Sequence, residues 1–348
     1  MKIAFIIPSL ANKGPIIVVY NLIKILNKKA ELIDVYYFDE VESPLNFDCK
    51  VHRIDSRQTI NFDMYDIIHS HTIRADYFVF KSKKNILSAK IVSTLHQDTI
   101  QSFKTKYNYF ASFFLSHFWC YIHRQFDGII AISESLNHRY SSLLSNKITT
   151  IHNGCFIEKK VIDPKFESIF QSFKDKGYKI LCSYATITKD KGLSQVILSL
   201  KKLHEFGYII IGDGPYISKL IKLVNEQNLS ERVKFLPYTN TPYSYLKFVD
   251  VYMMPSYSEG FGLAMVEAAL EKKSIVCSDI KSFHEIFSEK EVSFFKLNDS
   301  ISLINATINA YSERSIKGEL AYMKANLYFT SEVMAEKHVR YYNNLLNK

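Results

Sequence analysis

Residues 249–285 read VDVYMMPSYSEGFGLAMVEAALEKKSIVCSDIKSFHE, and this stretch decides how the rest of the chain is read. Val251 to Met254 is a short apolar run halted by Pro255, the pattern of a buried parallel strand. Ser256 to Gly262 is polar and contains Gly260 and Gly262, so it forms a loop whose backbone lets a ligand come close. Leu263 to Glu271 holds neither Gly nor Pro and spaces Leu263, Val266, Ala269 and Leu270 along one helical face. Ser274 to Cys277 reads as the next strand. The unit is βαβ with its loop at the carboxyl end of a strand, where open α/β sheets take ligands.

The chemistry of this stretch lies in Glu259, in the loop, and Glu267, on the helix. One carboxylate faces a ligand's reacting end and the other a more distal part. Between them the helix N-terminus offers N–H groups and a partial positive charge suited to phosphate. Carboxylates accept hydrogen bonds from sugar hydroxyls, so two acids bracketing an anion site suit a sugar nucleotide. Two glutamates at this spacing alone are ordinary solvated charges; their setting carries the argument. The string Pro255-Ser256…Glu259-Gly260-Phe261-Gly262…Glu267-Ala268 closely resembles the E-x7-E signature of retaining GT-B glycosyltransferases, the sugar-nucleotide-dependent enzymes often called family 4.

The resemblance implies an α/β chain of GT-B type: two Rossmann-like, doubly wound parallel-sheet domains facing a central cleft. Residues 1–155 would form the acceptor-side domain, completed by a helix at 331–348, and 156–330 the donor-side domain. It further implies a UDP-hexose or UDP-N-acetylhexosamine donor and a saccharide or lipid-linked saccharide acceptor, as in surface polysaccharide assembly. Glu267 would bind the ribose hydroxyls. Glu259 and the backbone of Gly260, Phe261, Gly262 and Leu263 would hold sugar and diphosphate. Front-face attack, with the leaving phosphate taking the acceptor's proton, would give retention without a protein nucleophile. No cofactor and no metal would be required, because a lysine and the helix end supply the positive charge. The alternatives are a catalytically silent sugar-nucleotide-binding subunit and a GT-B sugar-nucleotide epimerase.

The chain has 348 residues, enough for two domains, and is 47% hydrophobic and 14% aromatic, which excludes a disordered protein. Its 5 cysteines are scattered without a CxxC pair, which suggests free thiols in a reducing compartment. Met1-Lys2 followed by Ile3 to Ile7 is too short for a signal-peptide core and stops at Pro8, so a first strand is expected. No apolar run approaches the ~20 residues needed to span a bilayer. The expected place is the cytoplasm, with the inner face of the membrane as a further option. A net charge of +9 is compatible with nucleic acid, anionic membrane or diphosphate substrates, but nothing resembles a nucleic-acid module.

From Met1 to about Asn153 strands and helices alternate, as in a doubly wound sheet. The loop Ala11-Asn12-Lys13-Gly14-Pro15 follows the first strand, and Gly14 would let donor or acceptor approach. DIIHSH at 66–71 ends a strand in His69 and His71 on one face; a metal is one reading, but no further ligand follows at suitable spacing. HSHTIRADY resembles a stretch common in these transferases, which places His71 and Arg74 on the acceptor side, with His69 structural. His96, at the tip of IVSTLHQD, matches a family histidine that contacts the donor sugar near the reaction centre. Ile100 to Gln125 carries nine aromatic residues between lysines, histidines and an arginine. Such a segment either packs inside its domain or lies in a bilayer interface.

Residues 156–177 read as linker and short helix. A second series follows: strand Lys179 to Ala185, turn Lys191-Gly192, helix Leu193 to His204, strand Tyr208 to Ile211, and Gly212-Asp213-Gly214-Pro215. The last resembles the family's Gly-x-Gly-Pro turn, which would set Gly212 and Gly214 against the donor, and Pro237-Tyr238 after the next strand fits where relatives hold the base. Lys191 is the residue expected to hold the donor diphosphate and to neutralise the leaving group. The family pairs this lysine with an arginine five positions earlier. Here that position is Thr186, leaving Lys189 or the helix end to supply the missing charge. Phe329-Thr330 followed by a helix to Asn347 resembles the family's closing element.

Overall fold

The computed structural model describes residues 1–144, 148–158 and 162–347. It divides into two compact units, Met1–Cys155 with Phe329–Lys348, and Phe156–Tyr328. Phe329 and Thr330, expected in the second unit, belong to the first. The Cys155 N–H donates to Phe329 O at 2.9 Å, and the Ser331 N–H donates to Cys155 O at 3.0 Å. Within the expected linker, Pro164–Asp175 is a helix, and residues 159–161 lie outside the described residues.

The first unit holds strands β1 (Lys2–Ser9), β2 (Leu32–Asp39), β3 (Lys50–Arg53), β4 (Ile67–His71), β5 (Lys90–Leu95), β6 (Gly128–Ala131) and β7 (Ile148–Thr150). They pair in parallel in the order β3-β2-β1-β4-β5-β6-β7. The second holds β8 (Lys179–Tyr184), β9 (Phe206–Ile211), β10 (Val233–Leu236), β11 (Val251–Met254), β12 (Ser274–Ser278) and β13 (Ser293–Phe295). Their parallel order is β10-β9-β8-β11-β12-β13. Both sheets therefore change winding direction once, between β1 and β4 and between β8 and β11. Helices covering both faces explain why central strands are almost continuously apolar; Ile3 through Ile7 are wholly buried.

Register is set by one device used three times. Asp66, Asp127 and Asp250 each stand immediately before a strand. The Asp66 N–H donates to Lys2 O at 2.9 Å, and its Oδ2 accepts from the Lys2 N–H at 2.7 Å. Asp127 makes the same reciprocal pair with Ile91, and Asp250 with Ile180. Each aspartate satisfies both backbone groups at the neighbouring strand's first turn, where a slip would leave them unpaired.

Several boundaries differ from the sequence expectation. The helix expected over 193–204 stops at Ser199, because the Arg232 guanidinium takes the carbonyls of Leu200 (2.8 Å) and Leu203 (2.9 Å). That turn lets Leu200 and Leu203 both enter the core. The basic aromatic segment is two helices, Thr99–Lys106 and Tyr109–Arg124, divided where the Asn108 side chain caps the second by accepting from the Ala111 N–H at 2.9 Å. Gly14 begins the helix Gly14–Leu26 rather than lying within a loop, and a Cβ there would meet nothing within 4 Å.

The helix Ser331–Leu346 completes the first unit by packing on Gly14–Leu26. The Thr330 side chain caps it, and the buried Tyr342 reaches His69 Nδ1 at 2.6 Å. At the join, a Cβ on Gly154 would lie 2.2 Å from the Thr330 carbonyl oxygen, which cannot swing away as a side chain could. Gly154→Ala is therefore expected to lower stability by about 2–3 kcal/mol. The urea unfolding midpoint measures it, and Gly14→Ala, with open space around it, should not lower that midpoint.

Candidate active site

β8 and β11, the strands flanking the winding reversal of the second unit, each deliver a loop from their carboxyl ends. Gly192 joins these loops. It sits at φ +64° with its α-carbon against β11's exit, where a Cβ would fall 2.0 Å from Pro255 O. Only glycine fits both the backbone angle and the approach. The Tyr257 N–H donates to Asp190 O at 2.8 Å, and Gln195 Nε2 donates to Pro255 O at 3.0 Å. The result brings Lys191 Nζ to 2.7 Å from Glu259 Oε1, which also accepts from Ser256 Oγ at 2.8 Å. Lys191 is 23% exposed and Glu259 13%, so this is a semi-enclosed pair rather than a surface contact.

The helix Leu263–Leu270 starts beside that pair in sequence, with Gly262 at its head, which has no side chain to cap it. Gly262 at its head has φ +102°, and a Cβ there would press on the Phe283 ring at 2.9 Å. Phe261, just before it, is buried. One turn along the helix, Glu267 accepts a hydrogen bond from the Tyr184 hydroxyl at 2.8 Å. Burial pushes the Glu267 carboxyl up to about 7, partly offset by Tyr184. Tyr184 lies at the end of β8 and packs against Tyr252 of β11 with ring centroids 5.0 Å apart. Its role was not legible in sequence, because it depends on β8 lying beside the helix after β11.

The glycines of the Gly-x-Gly-Pro turn serve the chain itself. A Cβ on Gly212 would sit 2.0 Å from Ala185 O, and one on Gly214 would sit 2.4 Å from Ile187 O. The turn thereby clasps residues 185–187, and Ile187 N–H donates to Asp213 O at 2.8 Å. Thr186 is held exposed at the end of β8, and Lys189 is exposed beyond it. Pro237 and Tyr238 are exposed after β10, with the Tyr238 hydroxyl donating to Asn240 Oδ1 at 2.7 Å. A separate open groove of this unit, bordered by Phe294, Asn305, Asn309 and Lys317, contains none of these residues.

In the first unit, β4 ends in His71, and His96 follows β5. His71, expected on the acceptor side, is 0% exposed at the end of a central strand, packed against Phe5 and His96. Its Nδ1 lies 2.8 Å from His96 Nε2. His69 is likewise enclosed, between Tyr342 and Thr94 Oγ1 (2.8 Å). Burial drives the pKa values of His69 and His71 well below the usual histidine range and that of His96 to about 4. His96 is only partly buried. Arg74 is exposed, paired with both carboxylate oxygens of Asp39 at 2.7 Å and lying over the Phe38 ring. Among the described residues no group of three or more His, Cys, Asp or Glu side chains gathers as a metal cage.

Two doubly wound parallel-sheet units define the GT-B architecture. Residues 45–159 match the family described as Glycosyltransferase Family 4, and residues 164–326 match Glycosyl transferases group 1. An O-antigen biosynthesis glycosyltransferase, WclY, of Escherichia coli is 33% identical across 100% of this chain and 99% of its own length. An N-acetylgalactosaminyltransferase of Campylobacter jejuni, whose name specifies a saccharide on diphospho-undecaprenol, is 23% identical over 83% of this chain and 84% of its own. Anabaena HepE, solved with UDP and glucose, superposes with a TM-score of 0.81 over 99% of this chain and 100% of its own at 17% identity. The chain belongs to the group 1 glycosyltransferases, GT-B enzymes. No described helix is long and apolar enough to cross a membrane.

The raised pKa of Glu267 makes a stability prediction. Between pH 4.5 and about 7 the folded protein holds a proton that the unfolded chain has released. The stabilisation this gives is complete below the unfolded pKa and is lost as pH rises through the folded one. Glu267→Gln should therefore be more stable than the parent at pH 8, by on the order of 1–3 kcal/mol, the lower end allowing for water access. At pH 4 the two should match. Thermal melts at both pH values measure the difference.

Proposed function

We propose that the chain is a retaining hexosyl- or N-acetylhexosaminyltransferase that takes its sugar from a nucleotide donor, most simply UDP-linked. The observation that carries this reading is the Lys191–Glu259 pair at the winding reversal, followed in sequence by a helix headed by Gly262 and by Glu267. The positive pole of that helix and Lys191 would take the diphosphate, Glu259 the sugar and Glu267 the ribose. Thr186, Gly212, Gly214, Pro237 and Tyr238 would border the nucleotide. The acceptor hydroxyl would attack the anomeric carbon on the face the leaving diphosphate departs from. The old carbon–oxygen bond breaks, the new glycosidic bond forms, and the diphosphate oxygen takes the hydroxyl proton. His96 would contact the sugar. The names of the E. coli and C. jejuni relatives support a place in surface polysaccharide synthesis and a saccharide or lipid-linked saccharide acceptor.

Incubation with UDP-sugars, following UDP release with and without cell lipid extract, tests this reading. Acceptor-dependent release supports it. Interconversion of the sugar without acceptor marks an epimerase, and affinity without turnover marks a silent binder, an outcome that Thr186 in the arginine's place would favour. Lys191→Ala and Glu259→Ala should each reduce turnover by at least ~100-fold, since groups that stabilise developing charge contribute several kcal/mol. Near-parent rates in both would overturn the assignment.

The acceptor side of the proposal extends to the membrane. The helix Tyr109–Arg124 buries Ser112, Ser116, Trp119, Cys120, Ile122 and His123 and turns Phe110, Phe113, Phe114, Phe118 and Tyr121 outward. Phe110 is 74% exposed and Phe114 69%. The patch continues through Tyr77 and Phe80, beside Lys81. Exposed aromatics with Lys81 beside them, and with exposed Lys104 and Lys106 on the preceding helix, suit an anionic bilayer interface, at the cytoplasmic face where lipid-linked acceptors would be met. Phe113→Asp with Phe114→Asp should abolish sedimentation with phosphatidylglycerol vesicles while leaving the melting temperature unchanged. Retained vesicle binding would refute the contact.

A further inference from the structure

The His71 imidazole is fully enclosed, yet its Nε2 has no hydrogen-bond partner among the described residues. Leaving a buried polar atom unpaired costs about 1–3 kcal/mol, a cost that an apolar ring at the same position would not carry. An imidazole held at such a cost is explained by its other nitrogen. That nitrogen, Nδ1, meets His96 Nε2 at 2.8 Å.

The direction of this bond follows from the unpaired atom. Both rings are neutral at physiological pH, because burial lowers each pKa, with the neighbouring His338 adding to the effect and Asp76 opposing it at His96. A neutral imidazole carries one N–H and one lone pair. Were the His71 proton on Nε2, a buried N–H donor would go unmatched, the rarer and costlier defect. The proton belongs on Nδ1 and is donated to His96 Nε2. His96 must then carry its own proton on Nδ1, for which the described residues supply no acceptor.

The backbone beyond His96 is fixed as well. Asp98 caps the helix Thr99–Lys106 through the Gln101 N–H at 2.9 Å, accepts from the Tyr140 hydroxyl at 2.6 Å, and pairs with Arg139 at 2.8 Å. The ring thus has a set position and a set tautomer.

The geometry points to His71 as a positioning residue that locks His96 as an Nδ1–H hydrogen-bond donor, selecting a substrate oxygen that accepts, such as a saccharide hydroxyl. This rests on the proposed contact between His96 and the sugar; the tautomer does not. His96 in this form donates without surrendering a proton, so it orients a hydroxyl rather than acting as a general acid. His69 performs the neighbouring structural task, filling both its nitrogens with Tyr342 and Thr94.

The test uses protein labelled with 15N at histidine, with long-range 15N–1H correlations reporting the tautomer and His96→Gln assigning the signals. In the parent, His96 should show protonated Nδ1 and unprotonated Nε2. The opposite pattern overturns the inference whatever the enzyme's substrate proves to be. His71→Phe should release the lock and populate the Nε2–H tautomer of His96. His71→Asn, which keeps a donor at the Nδ1 place and discards the unpaired nitrogen, should retain the parental tautomer. If the proposed activity holds, His71→Phe should lose about 10-fold or more in kcat/KM, the worth of one oriented hydrogen bond. His71→Asn should stay within about 3-fold by the same measure. Equal losses in the two variants at matched melting temperatures would reduce His71 to a packing residue and refute the positioning role.

Discussion

The second unit depends on one close approach, the α-carbon of Gly192 against the carbonyl of Pro255. A parallel sheet brings the ends of β8 and β11 to neighbouring positions but leaves the loops beyond them free to diverge. A contact too tight for any side chain, reinforced by Tyr257 N–H to Asp190 O and Gln195 to Pro255 O, removes that freedom. Lys191 and Glu259, far apart in sequence, become hydrogen-bonded neighbours as a consequence. Site geometry here rests on backbone proximity, with the ionic contact built upon it.

That ionic contact also shapes what the site can accept. Lys191 and Glu259 already satisfy one another, so on the proposed reading an incoming anion would meet a matched pair rather than a bare lysine. An anion alone would take Lys191 and leave Glu259 partly enclosed without its cation. A ligand that carries hydroxyl donors beside its phosphate supplies both replacements, as a nucleotide sugar would on the proposed reading. Glu267 has a related character: it is placed where burial opposes its charge and Tyr184 supplies only partial relief. An apolar residue would suit this spot better for folding alone, which is what a site held for binding is expected to look like.

Features that depend on neighbouring residues were readable in the chain. The strand–loop–helix order of 249–285 and the Pro-Ser…Glu-Gly-Phe-Gly string placed β11, Gly262 and both glutamates where they are found. Features set by distant partners were not. The helix after Gly192 ends early because Arg232 takes its carbonyls, and no local pattern announces that. His71 alternates as a strand-end residue should, but whether it faces solvent depends on Phe5 and His96, which cover it. Gly212 and Gly214 read as part of a family turn, and only the structure shows how closely they approach residues 185–187. The outward face of Tyr109–Arg124 was legible as aromatic and basic, and only the tertiary structure shows which half of the helix is covered.

The first unit has a further property: it is discontinuous in sequence. Tyr342 and His338 fill its interior beside His69, and Thr330 and Ser331 clasp Cys155. During synthesis the segment 1–155 emerges early but lacks this cover until 329–347 has left the ribosome, by which time the whole of 156–328 is available to fold. The unit that begins first is finished last. Throughout that interval the place reserved for Tyr342 stands open, making the early half of the nascent polypeptide the part most in need of chaperone protection.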